Sequence, residues 1–369
     1  MAGALSLAAS GGWFGNDGSW STFLVHVGSP PQTFNVLPAT QAANIWLPIA
    51  DECMRLQNGS ASCGNSRGVT PFQQRPSPGF QANMSSTWKT IGLYELGMGR
   101  IHEINGNGLQ GFDSVELNDF TMEGQAITAY ASPGFWIGQM GLSPLPLNFS
   151  ETISSPSLMS ALKDEGHIPS LSYGYQAGAS YRKTRIPASL VLGGYDLSRS
   201  SEPLTVDINS DLSKALTVGL QDIIVTDSLN GTLSMVDNER ILAPIDSSIP
   251  DMWLPKSVCD RFESAFGLEY HERSGSQYAI GRAFLQEAYI GVDFEAGTFN
   301  VSAAKWDDVK PEIVTISAHD ALYSTPQLAG MAFHELPAKH GDSELWEAEM
   351  IPELGSNECA HELHPDCVR

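Results

Sequence analysis

The sequence predicts an all-β protein built from two related lobes. Short apolar segments follow one another closely along the chain, and turn residues separate them, as in an antiparallel β protein. The 369 residues include 35 Gly and 22 Pro, which supports many turns. A stretch near the start of the chain also recurs without a gap in its second half, which indicates two copies of one structural unit.

The predicted strands and helices are placed by apolar pattern and by flanking turn residues. Two helices are expected at residues 155–166 and 255–267, where apolar residues recur four apart between capping signals. The strands are expected at residues 22–27, 32–37, 111–117, 125–130, 189–192 and 215–224.

Composition supports a globular protein and excludes one class of partner. Hydrophobic residues make up 42% of the chain, enough for a sizeable core. The formal net charge of −22 argues against nucleic acid, because phosphate binding needs clustered Lys and Arg. No apolar run is long enough to span a membrane, and the opening MAGALSLAAS lacks the basic start of a clear signal peptide. We expect a monomer.

The internal repeat is the most informative feature. Residues 34–48 read FNVLPATQAANIWLP, and residues 241–255 read ILAPIDSSIPDMWLP. Each copy is a strand, a turn and an apolar segment that ends in Trp-Leu-Pro. At an offset of 207 residues, the matched turn positions are Ala39 with Asp246, Thr40 with Ser247, and Gln41 with Ser248.

This strand-turn-segment resembles the active-site motif of pepsin-like aspartic proteases (peptidase A1). Further segments occur in the family's order, and the resemblance covers about residues 18–304. It implies an all-β, bilobal pepsin-like fold, and it is nearest to fungal, often membrane-anchored members with a degenerate first motif. The matching segments are WFGNDGSWSTF, VGSPPQTFNV, SSTW, GLQGFDSVEL, GQMGL, SLVLGGYD and AIGRAFLQEAYIGVDFEAGTFNVSAA.

The resemblance implies a catalytic pair of Asp residues, and this chain supplies one of them. Asp246 occupies the second position, whereas Ala39 occupies the first. Two facing carboxylates must share a proton to activate water and protonate the scissile carbonyl. We therefore expect a catalytically inactive relative whose interlobe cleft binds a peptide or a polysaccharide. No cofactor or metal is expected, and Ile101 falls at the flap position where the family usually has Tyr.

Two alternatives stay open. One is an aspartic-type endopeptidase of weak or unusual activity that relies on Asp246. The other is a non-functional product of a mispredicted or decaying gene, because the second lobe is short. Gly141 follows Ala39 by 102 residues, whereas Gly281 follows Asp246 by only 35.

The same comparison divides the chain into four parts. Residues 1–17 form an N-terminal segment, and residues 18–185 form the first lobe. Residues 186–304 form the second lobe, shortened between residues 268 and 281. Residues 305–369 are expected to be an acidic tail without stable structure, because apolar periodicity is lost there.

Cysteines and glycosylation sequons indicate a secreted or cell-surface protein. Cys53 and Cys63 lie in the polar loop DECMRLQNGSASCG, where a local disulfide is easy to form, the alternative being two free thiols. Cys259 has no obvious partner, and Cys359 and Cys367 lie in the tail. Five Asn-x-Ser/Thr sequons occur, at Asn58, Asn83, Asn148, Asn230 and Asn300.

Overall fold

The computed structural model describes residues 2–51, 53, 63–95, 107–131, 135–150, 152–236, 240–268, 278–306 and 310–318. Strands dominate these residues and helices are few, which confirms the all-β prediction. None of the helices in these ranges is long and apolar enough to cross a membrane.

A sheet of eight strands forms the first lobe. They are β2 (Ala9–Phe14), β3 (Trp20–Val27), β4 (Gln32–Ala39), β5 (Ile45–Pro48), β6 (Lys89–Glu95), β7 (Asn107–Leu117), β8 (Phe120–Tyr130) and β9 (Gly138–Gly141). Their spatial order is β2-β3-β4-β9-β5-β8-β7-β6, and β3 also pairs with β7, so the sheet closes on itself. In the hairpin between β7 and β8, Asn118 has a φ of 50°, a left-handed conformation that Asn tolerates well.

A six-stranded antiparallel sheet joins the two halves of the chain. Its strands are β1 (Leu5–Leu7), β12 (Ser172–Gln176), β13 (Ser189–Leu192), β15 (Leu204–Asp207), β22 (Ala288–Asp293) and β23 (Thr298–Ala303). The spatial order is β1-β13-β12-β22-β23-β15. The lobe boundary predicted after residue 185 falls between β12 and β13, which are paired neighbours in this sheet. The boundary therefore stays a prediction.

Five two-stranded sheets complete the described strands. They pair β10 (Leu147–Asn148) with β11 (Ser154–Ser155), β14 (Gly194–Asp196) with β24 (Ile313–Thr315), β16 (Thr217–Leu220) with β19 (Ile241–Pro244), β17 (Ile224–Ser228) with β18 (Gly231–Ser234), and β20 (Met252–Trp253) with β21 (Ala279–Ile280). The predicted strand at residues 215–224 is therefore two segments, because β16 pairs with β19 whereas β17 turns back onto β18.

Four α-helices lie within the described ranges: α1 (Cys63–Ser66), α2 (Leu158–Asp164), α3 (Lys256–Phe266) and α4 (Arg282–Glu287). The helices predicted at residues 155–166 and 255–267 are confirmed as α2 and α3. Ser157 caps α2 by accepting a hydrogen bond from the Ser160 amide. α3 ends at Gly267, whose φ of 67° is the usual glycine termination.

Both lobes and the joining sheet share one apolar core. It includes Phe23 of β3, Ile127 of β8, Tyr173 of β12, Phe262 of α3 and Ile290 of β22. Each such side chain contributes about 1.5–3 kcal/mol when fully buried. Val36 of β4 and Ala243 of β19 also belong to this core, so it anchors the two strands that lead to the repeated turns.

Both ends of the described chain contribute strands that the sequence analysis did not predict. The segment before residue 18 contributes β1 to the six-stranded sheet and β2 to the eight-stranded sheet. The tail predicted from residue 305 is structured over residues 310–318, because β24 pairs with β14. Residues 319–369 lie outside the described ranges.

The cysteines also divide into a confirmed and a corrected prediction. Cys53 and Cys63 form the predicted disulfide, with their Cα atoms 5.6 Å apart. Cys259, on α3, is disulfide-bonded rather than unpaired, and its partner lies outside the described residues. Cys359 and Cys367 are the remaining cysteines of the chain.

Candidate functional site

Two loops of one design meet where the repeat predicted them. The first follows Ala39, the last residue of β4, which pairs in parallel with Gly141 of β9. The second follows Ile245, which makes a parallel bridge to Ile280 directly before Gly281. Each loop is thus supported by a parallel neighbour that ends in a glycine.

These two glycines make equivalent close contacts. A Cβ atom on Gly141 would lie 2.5 Å from the carbonyl oxygen of Ala42. A Cβ atom on Gly281 would lie 2.8 Å from the carbonyl oxygen of Ile249, the residue that matches Ala42 in the repeat. No side chain fits at either position, which explains the Gly at the end of both supporting strands.

A reciprocal pair of hydrogen bonds joins the loops across the lobes. The Thr40 amide donates to Ser247 Oγ at 3.0 Å, and the Ser247 amide donates to Thr40 Oγ1 at 3.1 Å. Each hydroxyl also donates a hydrogen bond to a backbone carbonyl of the opposite loop. Ser247 Oγ donates to Pro38 at 2.7 Å, and Thr40 Oγ1 donates to Ile245 at 3.1 Å. Both side chains are buried. We call these four hydrogen bonds the interlobe grip.

Asp246 lies directly before one member of the grip and is 5% exposed. Its Oδ1 atom accepts hydrogen bonds from the Ser248 amide at 2.9 Å and from Ser248 Oγ at 2.5 Å. Its own amide donates to the Ile280 carbonyl at 2.9 Å. The carboxylate is therefore fixed by its own loop and by the strand behind it.

Ala39 occupies the matching place in the first loop, within an apolar cluster. It is fully buried with Ala42, Trp46, Tyr130 and Phe135. The Trp46 ring lies 6.1 Å from each of the other two aromatic rings, as ring centroids. One half of the site thus carries a carboxyl group, and the matching position of the other half is a methyl group packed among aromatic rings.

Buried polar side chains fix the orientation of Trp46. Its indole nitrogen donates to Asn44 Oδ1 at 2.9 Å, and Asn44 donates in turn to Thr128 at 2.8 Å. The Thr128 hydroxyl donates to Gln110 at 2.8 Å. The first loop is therefore ordered although its turn carries no titratable group.

The other predicted site residues have mixed outcomes. Ile101, predicted for the flap, lies outside the described residues, as does Asn58. The other four sequon asparagines are exposed, as a modified residue must be, and their glycosylation stays a prediction. Gln41, at the position of the motif glycine, donates a long hydrogen bond of 3.4 Å to the Ile245 carbonyl.

Within the described residues, no group of three or more His, Cys, Asp or Glu side chains is arranged to hold a metal ion. The structure instead adds a residue that the sequence analysis missed. Arg282 is buried beneath the second loop and donates to the carbonyls of Ser247 and Ser248, both at 2.9 Å. The sequence does contain a signal for this residue. After the matched glycines, Gly141 is followed by the apolar Leu142, whereas Gly281 is followed by the charged Arg282.

Two loops on equivalent strands, joined by a reciprocal grip, agree with one family of proteins. The family model for eukaryotic aspartyl proteases matches residues 22–307. The chain belongs to this family. A search among curated proteins found no significant match.

An aspartyl protease needs two carboxylates at the grip, one ionised and one protonated. At the two matched turn positions of this family member, Asp246 carries a carboxyl group and Ala39 does not. The Ala39 methyl group can neither donate nor accept a hydrogen bond. The geometry of the loops fits the family, whereas the chemistry of the pair is incomplete.

Proposed function

We propose that this aspartyl protease homologue is non-catalytic and that its interlobe cleft binds a peptide or a polysaccharide, in a secreted or cell-surface protein. The observation that carries the proposal is Ala39 at the end of β4, beside an intact interlobe grip. Loops held this firmly keep a defined surface for a ligand even though one acid is replaced.

The expected loss of activity is large. A positioned acid or base contributes roughly 10²–10⁴-fold to a reaction rate. Replacement of one Asp removes water activation and carbonyl protonation together, because each step uses the proton that the pair shares. We therefore expect no measurable peptide cleavage.

The two unlike halves of the site also restrict the ligand. Asp246 favours a ligand group that donates hydrogen bonds, such as a hydroxyl or an amide N–H. The Ala39 side of the site instead presents a methyl group among aromatic rings, which favours an apolar part of the ligand. Peptides and polysaccharides both combine donors with apolar faces, so they are the classes to screen.

Peptidase activity is tested with an acid-denatured protein substrate at about pH 3–5, with and without pepstatin. We expect no pepstatin-sensitive cleavage. Cleavage that pepstatin inhibits, and that Asp246→Ala abolishes, would refute the proposal and support a weak peptidase instead.

Binding is tested by screening peptide libraries and soluble polysaccharides against the chain and against Asp246→Asn. A ligand whose affinity falls in the variant supports cleft binding, and a failure to bind either class contradicts it. Sequencing of transcripts across residues 268–281 addresses the gene-product alternative, because additional coding sequence there would show that the short second lobe is not real.

A further inference from the structure

The stretch WFGNDGSW, residues 13–20, has no role in the function proposed above, yet it reaches the site. Trp13 and Phe14 end β2, and Trp20 begins β3, so the residues between them form the turn of a hairpin. A Cβ atom on Gly18 would lie 2.7 Å from the Trp20 indole. The turn therefore folds closely over the Trp20 ring, and we call residues 13–20 the arch.

The arch holds the guanidinium of Arg282. Asp17 accepts a hydrogen bond from the Trp20 indole through Oδ1 at 2.8 Å and one from Arg282 Nη2 through Oδ2 at 3.0 Å. The Arg282 guanidinium carbon lies 4.7 Å from the centroid of the Trp20 ring, a cation–π distance. Carboxylate and indole thus bind the cation together, as a preorganised receptor.

The opposite side of Arg282 supports the second active-site loop. Nη1 donates to the carbonyls of both Ser247 and Ser248. Ser247 belongs to the interlobe grip, and Ser248 donates twice to Asp246. One guanidinium therefore connects the N-terminal arch to the backbone that carries the carboxylate.

The positive charge of Arg282 also acts on a residue of the six-stranded sheet. Burial raises the pKa of Tyr175, and the positive charge of Arg282 acts in the opposite direction. Tyr175 lies on β12, and the adjacent Gln176 donates to the Gln286 carbonyl of α4 at 3.5 Å, so the helix that begins at Arg282 also contacts the six-stranded sheet. A buried cation at such a junction is costly unless its partners stay in place.

We propose that Arg282 is a positioning residue, and that the arch holds it so that the second loop stays in register with the first. The contacts are specific to the second loop, because the matching residue of the first lobe is the buried apolar Leu142. In this chain the arch therefore acts on a loop more than 220 residues away in sequence. The inference concerns the loop, and it holds whichever ligand the cleft binds.

The test is amide hydrogen exchange at Ser247 in the full chain, compared with Asp17→Asn. Asp17→Asn keeps the side-chain size but removes the counter-charge. We expect exchange at Ser247 to accelerate about tenfold or more, while amides of the β7–β8 hairpin keep their rates. The matched control is Glu287→Gln, which breaks the ion pair with Arg182 at the other end of α4 and is expected to leave Ser247 unchanged.

A double variant distinguishes positioning from general stabilisation. Thr40→Val removes the acceptor of the Ser247 amide, and Asp17→Asn is added to it. If the arch acts through the grip, the two changes accelerate Ser247 exchange by less than the product of their single effects. Arg282→Lys should resemble Asp17→Asn, because an ammonium cannot reproduce the planar fork.

Three results would overturn the proposal. They are unchanged exchange at Ser247 in Asp17→Asn, equal acceleration in Glu287→Gln, and uniform acceleration that includes the β7–β8 hairpin. If Asp17→Asn does not fold, Trp20→Phe provides a second change, since it removes the indole hydrogen bond to Asp17, weakens the cation–π contact and keeps an aromatic ring at this buried position. Trp20→Phe must then accelerate Ser247 selectively, or the proposal fails.

Discussion

Removal of the Ser247 hydroxyl tests whether the interlobe grip holds the two loops together. In Ser247→Ala, the Thr40 amide loses its acceptor at 3.0 Å and the Pro38 carbonyl loses its donor at 2.7 Å. Ser247 is fully buried, so water does not readily replace the hydroxyl. Each unsatisfied buried group costs about 1–3 kcal/mol, so the two groups together predict a loss of roughly 2–6 kcal/mol in the free energy of unfolding.

The neighbouring hydroxyl is the control. Ser248→Ala removes one hydrogen bond to Asp246 Oδ1, but the Ser248 amide still donates to the same atom. The expected loss is about 1 kcal/mol or less. Because the two serines are adjacent and have the same size, the difference between the variants isolates the contribution of the contact across the lobes.

The assay is equilibrium unfolding in urea, followed by fluorescence and by circular dichroism. The change is read from the midpoint at constant m-value. A third variant, Thr40→Val, completes a double-mutant cycle with Ser247→Ala, and we expect a coupling of about 1 kcal/mol because both hydroxyls belong to one network. Equal losses in Ser247→Ala and Ser248→Ala, or strict additivity with Thr40→Val, would refute the reasoning.

Four further outcomes are expected. Arg67→Met should lower the unfolding free energy by about 3 kcal/mol or more in thermal melts, because this fully buried guanidinium donates to three backbone carbonyls. Burial raises the pKa of Asp293 above 3.8, so the folded chain binds that proton more tightly, and this contribution to stability is lost as pH rises from 3.8 through the raised value. In urea titrations, the free energy of unfolding of Asp293→Asn relative to that of the parent chain should therefore be higher at about pH 7 than at about pH 4. Non-reducing peptide mapping should find Cys259 linked to a cysteine of the C-terminal segment, and a free Cys259 thiol would contradict this. Ala39→Asp combined with Gln41→Gly should show no cleavage of an acid-denatured substrate, because the second lobe remains short; clear turnover would contradict this.

The repeat made much of the site predictable from the sequence. Matching two 15-residue windows paired Thr40 with Ser247 and Ala39 with Asp246, and the grip joins the first of these pairs. Strands such as β4 and β13 were also predictable, because turn residues bound their apolar runs. Local pattern was sufficient wherever a segment owed its structure to its own alternation and to its immediate neighbours.

Other parts could not be predicted from local pattern. β1 and β24 are three residues each, and their pairing partners are remote in sequence. The hydrogen bond between Asp17 and Arg282 joins residues 265 positions apart. A single charged residue beside a glycine gives no indication of such a partner until the fold brings the two together.

The residues that hold this site are separate from those that would react in it. The grip uses hydroxyls and backbone groups of Thr40 and Ser247, and none of its four hydrogen bonds involves the side chain at position 39. Alanine at position 39 leaves the loops joined, and its methyl group lies in the same buried apolar cluster as Trp46. An added carboxylate would instead need hydration or hydrogen-bond donors in a fully buried position. The apolar half-site is therefore stabilised by its own surroundings, and a single substitution would not rebuild an acid pair.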